Sequence, residues 1–346
     1  MRFLYSVKYQ KKRTFRHLTM VAILLILNSC GGDSNPSDGQ SSGTIDRVAA
    51  EFNLLVPMDA TIEKLAGGFA FTEGPVWDRR NNQLYFSDLS SNAIHTWSDA
   101  EGLKTYLKPV FDGETEHAMV GSNGLNIDSE GRLLLMEHGN RVVSRIEADG
   151  SRTILADVYN GNRLNSPNDS VWHSNGWLYF TDPPYGMEGL EQDPLRELAF
   201  NGIYRLHPES GEVQLLERTQ SRPNGIALSV DERTLYVANS DENDKVWYSY
   251  EVGDRGELSN QQVFFDVNDQ DGVGAADGMK IDVDGNIFAT GPGGVWVFDP
   301  GGNHLGTIKP DEVPANVAWG DDGSTLYMTA RTGLYRVRLS TSGLVP

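Results

Sequence analysis

Short apolar segments alternate with polar turns along most of the chain, and this pattern repeats six times. Each repeat opens with a small polar motif, which we call a lip: TEGPVW, GSNGLN, SPNDSV, RPNGIA, AADGMK and PANVAW. A short apolar strand follows, then a turn rich in Asp, Asn and Gly, then a second strand such as LYFSD, LYFTD or LYVAN. Apolar alternation bounded by such turns predicts β-strands, and helical periodicity of comparable length is absent.

The lips recur at intervals of 39 to 56 residues, which is typical of the blades of a β-propeller. Weaker third and outer strands follow in every repeat, among them AIHTWS, GIYRLHP and GLYRVRL. The sixth repeat runs out of chain near Leu339, so a strand from the start of the domain, TIEKLA, has to complete it. The sequence therefore predicts an all-β fold, a six-bladed β-propeller over residues 60–346 that is closed by an N-terminal strand.

The first 59 residues differ from the repeats in composition. Six basic residues precede an apolar run of ten residues, 18–27, and the motif LNSC ends at Cys30, the single cysteine. Spanning a bilayer takes about 20 residues, so the pattern predicts a secretion signal over residues 1–29. LNSC resembles the lipobox of bacterial lipoproteins, which implies cleavage before Cys30 and acylation of its thiol. The alternative is an ordinary cleaved signal with a chance cysteine.

A Gly-, Ser- and Asp-rich stretch follows Cys30 and predicts a flexible tether over residues 30–59. We therefore expect an exported, periplasm-facing protein whose contact with the membrane is the lipid anchor alone. Gly31, rather than aspartate, follows the cysteine, which favours the outer membrane.

The net charge and the absence of several motifs argue against some classes of function. A net charge of −19 disfavours nucleic acid and anionic membrane as partners. The chain has no G-x-S-x-G motif, no H-E-x-x-H motif and no cysteine pair, which argues against serine hydrolases of the elbow type and thiolate zinc sites. The expected partner is a small molecule, and the sequence does not indicate whether the protein has protein partners.

In a propeller blade the lip and the end of the second strand share one face, so polar lip residues from different blades converge there. We expect Glu73, Asn168, Asn224 and Asp277 to offer two carboxylates and two amide oxygens at the mouth of the central channel. Hard oxygen donors favour Ca²⁺, with Mg²⁺, Mn²⁺ and Zn²⁺ as further options. The alternative is that these residues serve turns alone.

Further polar residues are expected at the same face. We predict that Asn123, His138, Asp182 and Tyr185 bind substrate, with Tyr185 carried by a long insertion, residues 183–201, over the mouth. Two roles remain open for Asp182 and its counterparts Asp88 and Asn239. They either orient the proposed ligands or cap their own strands.

The motifs TEGPVW, EHGNR, SPND, FTDPPYG, RPNG and ADGM resemble, in order and spacing, the regucalcin (senescence marker protein)/gluconolactonase/luciferin-regenerating-enzyme family, in its bacterial gluconolactonase branch. The resemblance covers about residues 60 to 339. It implies a metal-dependent lactonase that opens a sugar lactone, with Glu73, Asn168, Asn224 and Asp277 as the ligands. In that reaction Asp277 or Glu73 is the expected acceptor of the proton from water. Ser166 stands where the regucalcin branch has a substrate-contacting arginine, so substrate preference does not carry over from that branch.

Two alternatives remain beside the lactonase. A phosphotriesterase or paraoxonase-like hydrolase uses a similar metal-centred propeller, and a propeller that binds a sugar acid without turnover needs no chemistry at all.

Overall fold

A computed structural model describes residues 41–115 and 117–346. The predicted secretion signal, Cys30 and the first part of the predicted tether lie outside the described residues. Six antiparallel sheets surround a central channel, and in each of them consecutive strands follow one another from inner to outer, with an N-terminal strand added on the outside of blades 5 and 6. The predicted six-bladed β-propeller is confirmed.

The strands of each blade are given from the channel outward. Those of blades 1 and 2 are Thr72–Asp78, Gln83–Asp88, Ala93–Ser98 and Gly102–Leu107, then Ser122–Ile127, Leu133–Glu137, Val142–Ile146 and Arg152–Ala156. Those of blades 3 and 4 are Ser170–Trp172, Leu178–Asp182, Gly202–His207 and Glu212–Glu217, then Pro223–Leu228, Thr234–Asp241, Asp244–Val252 and Leu258–Asp266. Those of blades 5 and 6 are Met279–Ile281, Ile287–Gly291, Gly294–Phe298 and His304–Pro310, then Pro314–Gly320, Thr325–Ala330 and Gly333–Arg338.

Three small elements lie outside this scheme. A ribbon of Val158–Tyr159 and Asn162–Arg163 follows blade 2, and a 3-10 helix, Leu190–Gln192, lies in the insertion of blade 3. A short α-helix, Phe52–Leu55, precedes the first blade. Among the described residues, no helix has the length and apolar character needed to cross a membrane.

The N-terminal strand Ile62–Gly67 closes the ring as the outer strand of blade 6, where it pairs antiparallel with Gly333–Arg338. This confirms the predicted role of TIEKLA. The inner strands contact their neighbours all the way round the channel, blade 6 against blade 1 included. Because first and last segments share one sheet, separating them would open the ring.

The structure differs from the predicted tether over residues 30–59 in its second half. Gly43–Arg47 forms a fifth strand on the outside of blade 5, paired with His304–Pro310. Phe52 and Val56 are fully buried against the propeller. Burial of these apolar side chains orders a segment whose composition alone predicts flexibility.

Apolar side chains fill the space between blades. Trp77 of blade 1 stacks on Tyr327 of blade 6, with ring centroids 5.4 Å apart, and Phe288 of blade 5 meets the edge of Trp319 of blade 6 at 4.9 Å. Such aromatic pairs contribute about 0.5 to 1.5 kcal/mol beyond their burial. The packing keeps the inner strands, and hence the lips, in fixed positions.

Candidate active site

A β-bulge at the start of the inner strand sets the direction of the lip side chains. In blade 3 the amide of Asn168 donates to the carbonyl of Thr181 (2.9 Å), and the amide of Thr181 donates to the carbonyl of Asp169 (3.1 Å). Two lip residues therefore stand opposite one partner, and blade 5 repeats the arrangement at Asp277 and Thr290. Register shifts mark the same place in blades 1, 2, 4 and 6. A bulge re-aims side chains, so consecutive lip residues can both face the channel.

The second lip residue is glycine in four blades because neighbouring lips touch. A Cβ on Gly74 would lie 2.0 Å from the carbonyl oxygen of Asn123, and one on Gly225 would lie 2.3 Å from that of Asp277. A side chain at either position would force the blades apart. Blades 3 and 6 depart from this rule, since Asp169 and Val317 occupy the corresponding positions.

Polar residues at the ends of the second strands anchor the loops that lead into the lips. Asp182 is fully buried and accepts the backbone N–H groups of Asn165 and Ser166, each at 2.8 Å. Asp88 and Asn239 accept backbone N–H groups in the same way in blades 1 and 4. Of the two roles left open above, this geometry fits the capping role. Contact of Asp182 with a substrate stays a prediction.

The structure brings Glu73, Asn224 and Asp277 together, although they come from blades 1, 4 and 5. Burial raises the pKa of Glu73 to about 7, and the neighbouring charge of Asp169 acts in the same direction. Burial also raises the pKa of Asp277 well above its ordinary value, with further contributions from the charges of Glu73 and Asp169. The nearby side chain of Asn224 opposes that rise. The carboxylates are thus close enough to repel one another.

Several polar atoms at this face are buried without a hydrogen-bond partner among the described residues. They include Oδ1 of Asp277, Nδ2 of Asn168 and Oδ1 of Asn123. Buried polar atoms are nearly always paired, so such atoms point to a water, an ion or a ligand. Asn168, the fourth proposed ligand, therefore stands at the lip with an amide that the chain does not use.

Asp169 and Lys280 were missed by the sequence analysis, which identified Asn316 as a lip residue without giving it a role. Asp169 follows Asn168 directly and is buried, and Asn316, the lip residue of blade 6, donates to both Glu73 and Asp169. Lys280, on the inner strand of blade 5, places its positive charge where it lowers the pKa of both carboxyl groups. The signal for Asp169 was its place in SPND, the one lip among blades 1 to 5 without glycine at the second position.

The donor set fits a hard divalent cation in its chemistry. Glu73 and Asp277 supply carboxylate oxygens and Asn168 and Asn224 supply amides, the ligand types that Ca²⁺ and Mg²⁺ take. Asp277 Oδ1 has no donor from the described chain, and positive charge would relieve the repulsion between the buried carboxylates. Among residues 41–115 and 117–346, no three His, Cys, Asp or Glu side chains form a metal-binding group. A cation here would thus depend on the amides as well.

Asn123 and His138 belong to the blade 2 side of the face. His138 is fully buried, and neither ring nitrogen has a partner in the described part of the chain. Burial lowers the pKa of His138 to about 3, with the nearby His117 acting in the same direction, so its ring is neutral at pH 7. Binding of substrate by Asn123 and His138 stays a prediction.

The insertion, residues 183–201, crosses blade 3 from blade 2 to blade 4. At one side Gly186 packs so closely on His138 that a Cβ would lie 2.7 Å from the histidine Cβ. At the other side the Tyr185 hydroxyl lies 2.5 Å from Oγ of Ser240, which accepts a hydrogen bond from Nδ2 of Asn224 (3.1 Å). Tyr185 is therefore one residue removed from a proposed ligand, although its contact with substrate is untested.

A second feature lies at the opposite end of the channel. A cavity of about 850 Å³ opens among the turns that join inner and second strands, and Trp172, Leu228, Trp319 and Val345 are among the residues that line it. None of the proposed ligands lines this cavity. Cavity size and chemistry therefore point to different ends of the molecule, and we place the site where the carboxylates and unpartnered polar atoms are.

The fold and the site together define the class of protein. It is a six-bladed β-propeller with oxygen donors gathered at one mouth of its central channel. The profile of the SMP-30/Gluconolactonase/LRE-like region matches residues 71–332. The chain belongs to this family, as the motifs predict.

Individual relatives agree with this membership. A gluconolactonase from Zymomonas mobilis is 34% identical over 335 residues, which cover 94% of each chain. The solved structure of a gluconolactonase from Xanthomonas campestris superposes with a TM-score of 0.75 at 30% identity, over 88% of this chain and 96% of that one. A calcium-binding protein, regucalcin, from Agrobacterium tumefaciens shares the fold with a TM-score of 0.65 at 21% identity, over 81% and 96% of the two chains.

Proposed function

We propose that the protein is a gluconolactonase-like lactone hydrolase that opens a sugar lactone at the lip face. Its family and its similarity to the Zymomonas mobilis gluconolactonase over 94% of both chains support this activity. The finer part of the proposal is that the reaction depends on a divalent cation, most readily Ca²⁺, bound by Glu73, Asn168, Asn224 and Asp277.

One observation is the main support for the proposed cation. Oδ1 of Asp277 is buried and has no partner within the described residues, while the carboxylate of Glu73 is near enough to raise its pKa. An isolated buried carboxylate is costly unless a positive charge or a proton compensates it. The calcium-binding description of the Agrobacterium tumefaciens regucalcin supports Ca²⁺ as that charge.

Hydrolysis of a lactone needs a nucleophilic water and a place for its proton. The water oxygen bonds to the carbonyl carbon, the ring C–O bond breaks, and the ring oxygen leaves as a hydroxyl after it receives a proton. Glu73 and Asp277 are the buried carboxylates of the proposed ligand set, and either could accept the proton of that water. A bound divalent cation supplies polarisation of the carbonyl and a lower pKa for an adjacent water.

Elements of the lip face also limit the access of water to the site. The insertion is held by an ion pair between Glu191 and Arg222 (2.9 Å) and by the Tyr185 contact with Ser240. Exclusion of water strengthens every charge interaction within a site. We therefore assign the insertion to the substrate pocket.

A substrate screen tests the proposal. Purified protein is assayed against an aldonolactone, an acyl lactone without ring hydroxyls and a phosphotriester, each with and without a chelator. We expect the aldonolactone to be hydrolysed best, chelation to abolish the rate, and Ca²⁺ to restore it. Turnover of the phosphotriester alone would favour the paraoxonase-like alternative, and binding of the aldonolactone without turnover would favour the sugar-acid-binding alternative.

We also propose export and acylation at Cys30, facing the periplasm from the outer membrane. The support is the sequence alone, namely the basic start, the apolar residues 18–27 and LNSC. Cys30→Ser is expected to give an unacylated, unprocessed or soluble form in cell fractionation. Wild-type protein found wholly in the cytosol would contradict this proposal.

A further inference from the structure

Asn316, the lip residue of blade 6, lies between two buried carboxylates. Its Nδ2 donates to Oε2 of Glu73 (3.2 Å) and to Oδ2 of Asp169 (3.3 Å), while its Oδ1 accepts the backbone N–H of Val317 (2.9 Å). The contact with Val317 fixes the direction of the amide. An amide nitrogen carries two hydrogens, so each carboxylate receives one of them.

The surroundings of Asn316 leave it little freedom. The side chain is 2% exposed, and a Cβ on Gly278 would lie 2.0 Å from its Cγ. The glycine after Asp277 thus makes room for this amide. One side chain thereby touches groups from blades 1, 3 and 5, which otherwise meet only across the channel.

The hydrogen bonds to their carboxylate oxygens distinguish the roles of Asp169 and Glu73. Asp169 accepts the backbone N–H of Ser170 at Oδ1 (2.8 Å) and Asn316 at Oδ2, so protein donors reach both of its oxygens. Glu73 accepts Gly74 (2.8 Å) and Asn316 at Oε2. Among residues 41–115 and 117–346, no donor reaches its Oε1. Asp169 is arranged as an anchor, whereas Glu73 keeps one oxygen available.

We propose that Asn316 and Asp169 are positioning residues that hold Glu73 with Oε1 directed to the cation of the proposed function. The inference rests on that function and names residues outside the proposed ligand set. Asn316 acts through Glu73 and contacts neither cation nor substrate. Without its donor, the Glu73 carboxylate loses one of two bonds that fix it, and rotation of the free oxygen away from the site becomes easier.

The test removes the amide without changing charge. Asn316→Leu keeps the approximate volume, and Asn316→Ala avoids any clash with Gly278 should the leucine variant not fold. The matched control is Asn286→Leu, which removes a buried amide bonded to Asp282 (2.8 Å) on the far side of blade 5. Calcium binding to the metal-free proteins is measured by calorimetry, together with melting temperature and aldonolactone turnover over a range of Ca²⁺.

We expect both Asn316 variants to bind Ca²⁺ at least ten-fold more weakly, about 1.4 kcal/mol, and to regain much of their turnover at saturating Ca²⁺. Asn286→Leu should lose stability and keep wild-type affinity. Wild-type affinity in an Asn316 variant, whatever its melting temperature, would overturn this inference alone. A wild-type protein that binds no divalent cation would overturn the metal-dependent part of the proposed function and the inference with it.

Discussion

Asp277 and Asp282 flank the same short inner strand of blade 5 but have opposite surroundings. Asp282, at the turn end, accepts the backbone N–H groups of Asp284 (3.0 Å) and Asn286 (2.8 Å) and the hydroxyl of Thr341 (2.7 Å). Asp277, at the lip end, has a buried Oδ1 without a partner among the described residues. The comparison shows that residue type alone does not reveal a site, whereas unsatisfied hydrogen-bonding capacity does.

The same contrast holds for the two faces of the propeller. Acidic residues of the turn face accept N–H groups from their own turns, and these residues are Asp78, Asp128, Asp231, Asp282 and Asp322. The unpartnered carboxylate and side-chain amide atoms of Asn123, Asn168 and Asp277 lie at the lip face, which also receives the long connections. Turn-face residues should therefore affect stability, and lip-face residues should affect activity.

The largest expected effect comes from a change that separates two lips. Gly225→Ala places a Cβ 2.3 Å from the carbonyl oxygen of Asp277, whereas a Cβ on Gly211, in a turn-face hairpin, meets nothing within 4 Å. We expect Gly225→Ala to lower the free energy of unfolding by about 3 kcal/mol or more. Gly211→Ala should cost about 1 kcal/mol because its φ of +69° disfavours a side chain. Denaturant titration measures both, and equal losses would contradict the close approach of the lips.

Charge removal at the two ends of the blade 1 inner strand separates activity from stability. Glu73→Gln is expected to lower kcat/KM for an aldonolactone about 100-fold, since one of two proposed anionic ligands is lost. Its melting temperature should stay or rise, because burial opposes the charge. Asp78→Asn, at the turn end, should leave kcat/KM unchanged while it weakens the turn bond to Arg80. Full activity in Glu73→Gln would remove Glu73 from the reaction.

A smaller effect is expected at Glu312, an acidic residue near the lips that we expect to stabilise the fold without taking part in the reaction. Burial opposes the charge of Glu312, but hydrogen bonds from Lys64 (2.6 Å), Thr332 and Tyr335 (2.7 Å) outweigh it and lower the pKa of Glu312 to about 2. Because the pKa of Glu312 is lower in the folded state than in the unfolded state, its carboxylate stabilises the fold above the unfolded pKa of about 4.5. This stabilisation is lost as the pH falls towards 2.

Glu312→Gln should therefore lower the free energy of unfolding by about 1 to 2 kcal/mol at pH 7. The difference from wild type should shrink between about pH 4.5 and pH 2, with lactone turnover unaffected at pH 7. Because Lys64 belongs to the closing strand Ile62–Gly67, the loss reports on ring closure. A difference that persists at pH 2 would mean that packing, rather than charge, holds this contact.

The sequence predicted the repeated elements well because their period is visible in the apolar pattern. The six blades, the closing strand and the convergence of Glu73, Asn224 and Asp277 follow from that period. Asp169 and Asn316 were missed as a bridged pair, since a bulge aims two consecutive residues at one channel and strict alternation does not show this. The strand Gly43–Arg47 was missed because five residues become a strand only by pairing with blade 5.

The most direct test of a cation at the lip face compares Asp277→Asn with Asp282→Asn by calorimetric Ca²⁺ titration and aldonolactone hydrolysis. Both changes remove one charge and keep the side-chain shape. We expect Asp277→Asn to fold, to bind Ca²⁺ at least ten-fold more weakly, about 1.4 kcal/mol, and to lose most turnover, because calcium affinity follows ligand charge. Asp282→Asn should bind and turn over as the wild type does. Wild-type calcium affinity and turnover in Asp277→Asn would contradict the ligand assignment and the mechanism that depends on it.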